Sequence, residues 1–326
     1  MSLKSLRLPF YVFLLIISFL SFVQLKLENP IILLERFVKN GGWFEIFFVG
    51  IYGAFIAYKI QEPGNTAKWR MIAWKVFTFV FFAQLALGLA GSGKFLMTGK
   101  LHLPVPMMII GGPVYRGELS VMTILFLSTI LVTGPAWCSQ FCYFGALDNM
   151  AASGKKPGRG RIRNRQSVKF TVLVLVIIVA LVLRWLNINI FYSTMIAGLF
   201  GLAGLAVILL VSTRKGKMIH CLTWCPVGTV VNYTRYVNPF RMYIDTSTCT
   251  LCNICTSHCR YDALNRTDIE KGRPDITCTL CGDCLPTCHA GSIKYKFLKM
   301  DPEKARNLYL VLTVSLHAIF LALGRI

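Results

Sequence analysis

Acidic residues are scarce in this chain. Of 326 residues only 14 are Asp or Glu, and charged residues of both signs make up 15%, against roughly 25% in an average soluble domain. With a hydrophobic fraction of 55%, that deficit excludes a water-soluble enzyme of this length, as well as intrinsic disorder and a small disulfide scaffold. No Gly-rich phosphate loop opens a helix, no Ser/His/Asp arrangement emerges, and there is no Cys-x-x-Cys-His. Nucleotide chemistry, triad hydrolysis and covalent c-type haem are therefore not expected. The charge that is present is basic: 35 Lys and Arg leave a net +21. In so apolar a chain such charge serves to set membrane topology, and no nucleic-acid partner is expected.

Long apolar runs supply the rest. They fall at about 8–25, 43–60, 70–90, 119–137, 168–186, 195–211 and 305–323, each near the ~20 residues that cross hydrocarbon. The first follows Lys4 and Arg7 as a signal peptide would, but no small-x-small cleavage site follows, so it reads as a retained anchor. The distribution of Lys and Arg favours a cytoplasmic N-terminus. The stretch Lys155, Lys156, Arg159, Arg161, Arg163, Arg165 and Lys169, which contains no acid, is expected at the cytoplasmic surface beside anionic lipid headgroups.

Between about Gly216 and Lys304 the apolar runs stop and cysteines gather. Cys249, Cys252, Cys255 and Cys259 are followed by Cys278, Cys281, Cys284 and Cys288 at the same spacing, each run opening Thr-Cys-Thr-Leu-Cys. Cysteines recurring every third residue let one tight loop supply three thiolates to a cubane cluster, and in two-cluster ferredoxins the fourth comes from the other run. On that crossing Cys249, Cys252, Cys255 and Cys288 hold one 4Fe-4S cluster, and Cys278, Cys281, Cys284 and Cys259 the second. Structural zinc is the alternative, but its ribbons use separated pairs, and disulfides do not suit a reducing compartment. Pro usually follows the last cysteine of such a run. Arg260 and His289 stand there instead, either tuning cluster potentials or simply exposed.

The remaining four cysteines form a second repeat. Cys138, Cys142, Gly145 and Asn149 match Cys221, Cys225, Gly228 and Asn232 in a pattern of Cys, three residues, Cys, two residues, Gly, three residues, Asn. Cysteines four apart on a helix end share a face, so two facing copies would present four thiols to a third metal or cluster site. Redox thiols and simple packing remain alternative readings. The glycines are expected to serve the turn leaving each span.

Two membrane-end Cys-x3-Cys motifs followed by two ferredoxin-type runs resemble the polyferredoxin membrane proteins of the NapH, NosR and CcoG group. The likeness spans about residues 119–295, with the motif-ending Pro226 matched in the second copy and Tyr143 in its place in the first. It implies a quinol dehydrogenase-like subunit of a prokaryotic cytoplasmic (inner) membrane. Such a subunit would link the quinone pool to a membrane or periplasmic redox partner such as a flavoprotein, cytochrome or reductase subunit. A cytoplasm-facing copper reductase of the CcoG kind and a non-enzymatic redox sensor or anchor are the alternatives.

The expected architecture is an all-α polytopic membrane protein of about seven transmembrane helices, with an inserted small α+β bacterial-type ferredoxin module carrying two 4Fe-4S clusters. Residues 1–215 form the transmembrane domain (its second motif at 221–225), 216–304 the cytoplasmic ferredoxin domain, and 305–326 a last helix. Gly91 to Glu118 includes a short, Pro-containing apolar piece, 103–110, that reads as re-entrant or interfacial. His102, Tyr115, Arg116 and Glu118 there are candidates for a quinone and proton site. His317 and Arg184 are further polar residues in apolar surroundings. His220 and His258 adjoin cysteines, with facing water as the simple reading of either.

Overall fold

In a computed structural model, which describes residues 3–27, 31–95, 104–158 and 160–323, the chain is mainly helical. The helices are α1 (Leu3–Lys26), α2 (Gly41–Ile60), α3 (Thr66–Leu89), α4 (Met108–Arg116), α5 (Val121–Thr133), α6 (Tyr143–Ala152), α7 (Arg165–Trp185), α8 (Ile190–Val207), α9 (Thr213–Lys215), α10 (Pro226–Thr234), α11 (Arg266–Glu270) and α12 (Pro302–Ala322). Strands β1 (Phe240–Ile244) and β2 (Ile293–Phe297) pair antiparallel, from Phe240 opposite Phe297 to Ile244 opposite Ile293. Among the described residues seven helical stretches are long and apolar enough to cross a bilayer, from Leu6–Lys26 to Pro302–Ala322. They coincide with the seven apolar runs of the sequence, so this is a multi-pass membrane protein by length and composition.

Two compact units divide the chain, Met1–His102 with Met300–Ile326, and Leu103–Lys299. In the first, α1, α2, α3 and α12 form a helical bundle. Gly53 of α2 has no Cβ, and Ile16 of α1 occupies the space one would take. Close backbone approach of this kind is the usual device for packing helices in lipid, where apolar burial alone gives no preference. Two polar residues of this unit, Arg306 and His317, find partners within it. Arg306 donates to the Ile60 carbonyl at 3.0 Å, at the open end of α2. His317 is 3% exposed, and its Nε2 lies 3.0 Å from the Tyr52 hydroxyl, with the Phe77 ring 5.3 Å away. It is a hydrogen-bonded core histidine.

In the second unit α4 packs on α7. Val105, Met107, Val176 and Ala197 form a buried cluster, with Met108, Val172 and Phe200 against it. Residues 105–107, just before α4, are thus buried against protein. Arg184 donates to the Val114 carbonyl at 3.5 Å, a cation at the C-terminal end of α4 where the helix dipole favours one. The β1–β2 pair brackets the two ferredoxin-type runs and closes the insert.

Candidate metal centres

The two cysteine runs of the insert share a backbone as well as a sequence. Leu251 and Leu280 both adopt positive φ (54° and 56°), as do Asn253 and Gly282 two residues on (58° and 77°). Left-handed leucines are unusual, and their recurrence at matching positions marks loops wound tightly around their thiols. Each run then makes a 3-10 turn, Ile254–His258 or Leu285–Thr287, and ends in a cysteine of nearly the same backbone, Cys259 at φ −85° and ψ 91° and Cys288 at φ −92° and ψ 89°. The Sγ of Cys259 accepts the Ala263 N–H at 3.3 Å, and that of Cys288 accepts the Ser292 N–H at 3.3 Å.

The thiols group across the runs. Cys255 has Cys288, Cys252 and Cys249 as electrostatic neighbours, while Cys284 has Cys281, Cys278 and Cys259. Burial pushes the Cys255 thiol up to about 11 and that of Cys259 up to about 12. Exposed Cys252 is held below its ordinary value by the Ile254 N–H and the Thr250 hydroxyl. The first group therefore opens to solvent at Cys252, whereas Cys284 of the second is buried.

The membrane-end copies are also alike, in a form the sequence did not suggest. Each is a five-residue π turn, Trp137–Phe141 or His220–Trp224, followed by an extended cysteine that starts the next helix. Cys142 has φ −89° and ψ 116°, and Cys225 φ −79° and ψ 115°. In each copy the second cysteine's N–H bonds the carbonyl five residues back at 3.0 Å, Trp137 or His220. The expected regular helix end is replaced because the wide turn and the extended residue after it redirect the chain into α6 or α10; π turns of this kind concentrate at functional sites. The four thiols assemble into one group: Cys221 has Cys225, Cys142 and Cys138 as electrostatic neighbours. Among the described residues, no three His, Cys, Asp or Glu side chains stand close enough to hold a single metal ion.

Around this group lie residues whose part in the site the sequence did not reveal. Asp148, buried on α6, accepts the Cys221 N–H at 2.9 Å, and burial raises its carboxyl to about 6. Lys169, buried near the start of α7, has Cys138, Cys225 and Cys221 as its main electrostatic neighbours. A Cβ on Gly228 would lie 2.8 Å from its Nζ. That motif glycine has no positive φ; it makes room for a lysine and does not serve a turn as expected. The available signal was an ionisable residue inside an apolar run.

Two hydrogen bonds join the membrane-end group to the insert, one at the second run and one just past the end of the first. Ser139 donates to the Thr279 carbonyl at 3.2 Å, beside Cys278, and Tyr261, two residues past Cys259, donates to the Cys138 carbonyl at 2.8 Å. Arg260 is neither exposed nor placed as a tuning charge at the sulfurs. Its guanidinium donates to the carbonyls of Ala152 and Lys155, and its own carbonyl accepts the Met218 N–H at 3.1 Å. The basic stretch is likewise drawn inward. Arg165 pairs with Asp262 and Asp275, Arg161 with Asp268, and Lys217 with Asp262. Lys155, Lys156 and Arg163 of that stretch are exposed.

His258 and His289 are exposed, but His220 is not. It lies against the Phe144 ring at 5.4 Å, and burial lowers it to about 4, with the Gly204 backbone opposing that shift. The expectation that it faces water is corrected: the π turn that carries it folds inward. Of the quinone candidates, Tyr115 donates to the Ile188 carbonyl at 2.6 Å, Arg116 and Glu118 are exposed, and His102 lies outside the described residues.

A family model described as a 4Fe-4S binding domain matches residues 117–161 and 197–241, one membrane-end copy in each match. No curated protein matches the chain, nor does any solved structure. The two matched repeats and the seven apolar helices define an iron–sulfur membrane protein. The donor chemistry fits that assignment. All twelve cysteines are free, and thiolates are the ligands that iron–sulfur clusters take.

Proposed function

We propose that the chain is a membrane-bound electron carrier with three 4Fe-4S sites in sequence. Cys138, Cys142, Cys221 and Cys225 hold the first, Cys278, Cys281, Cys284 and Cys259 the second, and Cys249, Cys252, Cys255 and Cys288 the third. When bound, iron–sulfur clusters supply one-electron redox chemistry, and the protein positions and shields them. The observation that carries this reading is the pair of hydrogen bonds, Ser139 to Thr279 beside Cys278 and Tyr261, two residues past Cys259, to Cys138, which tie the membrane-end motif to segments adjoining the second group of thiols. Cys252, exposed in the third group, opens that end to a partner.

On this reading electrons pass between a quinol or a membrane or periplasmic redox partner and clusters on the cytoplasmic side of a prokaryotic inner membrane, and the chain serves as an oxidoreductase subunit of a respiratory complex. Its role in each transfer is to exclude water from buried thiolates and to donate N–H groups to their sulfurs, which lowers the cost of the added negative charge. The test is chemical and spectroscopic. Anaerobically purified full-length protein should be reduced by a quinol analogue, with loss of visible absorbance and the appearance of electron paramagnetic resonance signals. Clusters that respond to dithionite but to no quinol would end the quinone part of the proposal. Rapid oxidation of the reduced clusters by copper ions would favour a metal reductase.

A further inference from the structure

Lys169 presents an unusual charge problem. It is 4% exposed and lies inside an apolar span. Burying an ammonium costs several kcal/mol unless an anion or a full set of acceptors meets it. Among the described residues no carboxylate forms an ion pair with it. Arg165, one helical turn away on α7, is taken up by Asp262 and Asp275, and Lys217 also draws on Asp262. Asp148 lies on the far copy, at the Cys221 N–H. The favourable charge partners it has are the membrane-end thiols Cys138, Cys225 and Cys221.

The surroundings hold the ammonium in that place. Asn232, the last residue of the second motif, accepts from Nζ at 3.2 Å when its amide is oriented to satisfy both neighbours, and donates to the Gly228 carbonyl at 3.1 Å. Thr229 donates its hydroxyl to the Lys169 carbonyl at 3.1 Å. Gly228 supplies the notch, since a Cβ there would meet both Nζ (2.8 Å) and the Cys221 carbonyl (3.4 Å). Two of the four defining positions of the second copy, the glycine and the asparagine, thus serve to seat one lysine beside the cysteines.

We propose that Lys169 is a positioning residue that acts through the membrane-end cluster, as a built-in counter-charge that raises its reduction potential. The proposal rests on the assignment of a cluster to Cys138, Cys142, Cys221 and Cys225. Four thiolates leave a cubane net negative, and reduction adds one electron and one further negative charge. A fixed positive charge beside the thiols favours the reduced form more than the oxidised one, and burial of the lysine limits its screening. No proton or second electron is required.

The test is a redox titration, followed by electron paramagnetic resonance, of the full-length protein and of Lys169→Met and Lys169→Arg, with iron and acid-labile sulfide measured on each. The signal to follow is the one that Cys225→Ser removes. In Lys169→Met, with iron retained, it should become at least tenfold harder to reduce at fixed poise, a fall of about 59 mV for a one-electron couple. Lys169→Arg should restore most of the shift, and loss of this cluster's iron in the Met variant but not in the Arg variant also supports the charge. An unchanged potential in Lys169→Met, or loss of the iron in both variants, overturns the proposal. A wild-type chain with no signal sensitive to Cys225→Ser overturns the cluster assignment itself, before any lysine is changed.

Discussion

The two membrane-end copies share a backbone and differ in what surrounds it. Both run through a π turn into an extended cysteine that starts a helix, with the same hydrogen bond closing the turn. The copy at Cys138 and Cys142 faces the insert, through Ser139 and Tyr261, and contributes the acid, Asp148. The copy at Cys221 and Cys225 faces α7 and receives the base, Lys169. The repeat therefore fixes where four thiols point, while the side chains unique to each copy decide what those thiols are coupled to. A duplicated frame with divergent surroundings is how one site acquires an electrical direction.

That comparison is most exposed to single cysteine substitutions. If the copies build one site together, Cys138→Ser and Cys225→Ser each remove the same about four irons per chain and abolish electron transfer to the insert. Different losses from the two variants would mean that the copies bind separately. Next in size is Arg165→Leu, which leaves Asp262 and Asp275 without their shared guanidinium. Both Arg165 and Asp262 are nearly inaccessible, at 3% and 2%, so the loss should be about 3–5 kcal/mol, read as protease sensitivity of residues 240–299 in the otherwise intact chain. Arg161→Leu breaks a pair whose arginine is 42% exposed, and should cost no more than about 1 kcal/mol.

Ser139→Ala tests the coupling that belongs to the first copy alone. Losing one neutral hydrogen bond costs about 1 kcal/mol, so iron content should hold, while electron equilibration between the membrane-end site and the insert slows in stopped-flow reduction. The smallest effect is expected for Asn149→Leu. Among the described residues its amide donates to the Met218 sulfur, at 3.4 Å, whereas the equivalent Asn232→Leu strips an acceptor from a buried ammonium. Equal thermal stability losses from the two would contradict the division of roles between the copies.

Much of this was legible in the sequence because it depends on period and spacing. Seven apolar runs predicted the seven long apolar helices, and the two cysteine repeats stood out by their spacing. The conformation of the membrane-end motif was not legible, because a Cys-x3-Cys spacing suits a regular helix end as well as a π turn followed by an extended residue. The fate of the basic stretch was hidden for another reason. Asp262, Asp268 and Asp275 lie about a hundred residues from Arg161 and Arg165, and a run of charge does not announce whether lipid or a folded insert will meet it. Gly228 looked like a turn residue because glycine most often is one; only the packed structure shows the lysine filling its notch.

The central claim is that twelve cysteines serve three clusters, and iron with acid-labile sulfide, measured per chain on anaerobically purified full-length protein, tests it most directly. About twelve of each, falling to about eight when Cys138, Cys142, Cys221 and Cys225 are all changed to Ser, is the expected result. Zinc in place of iron, or about eight irons both before and after that change, would contradict it.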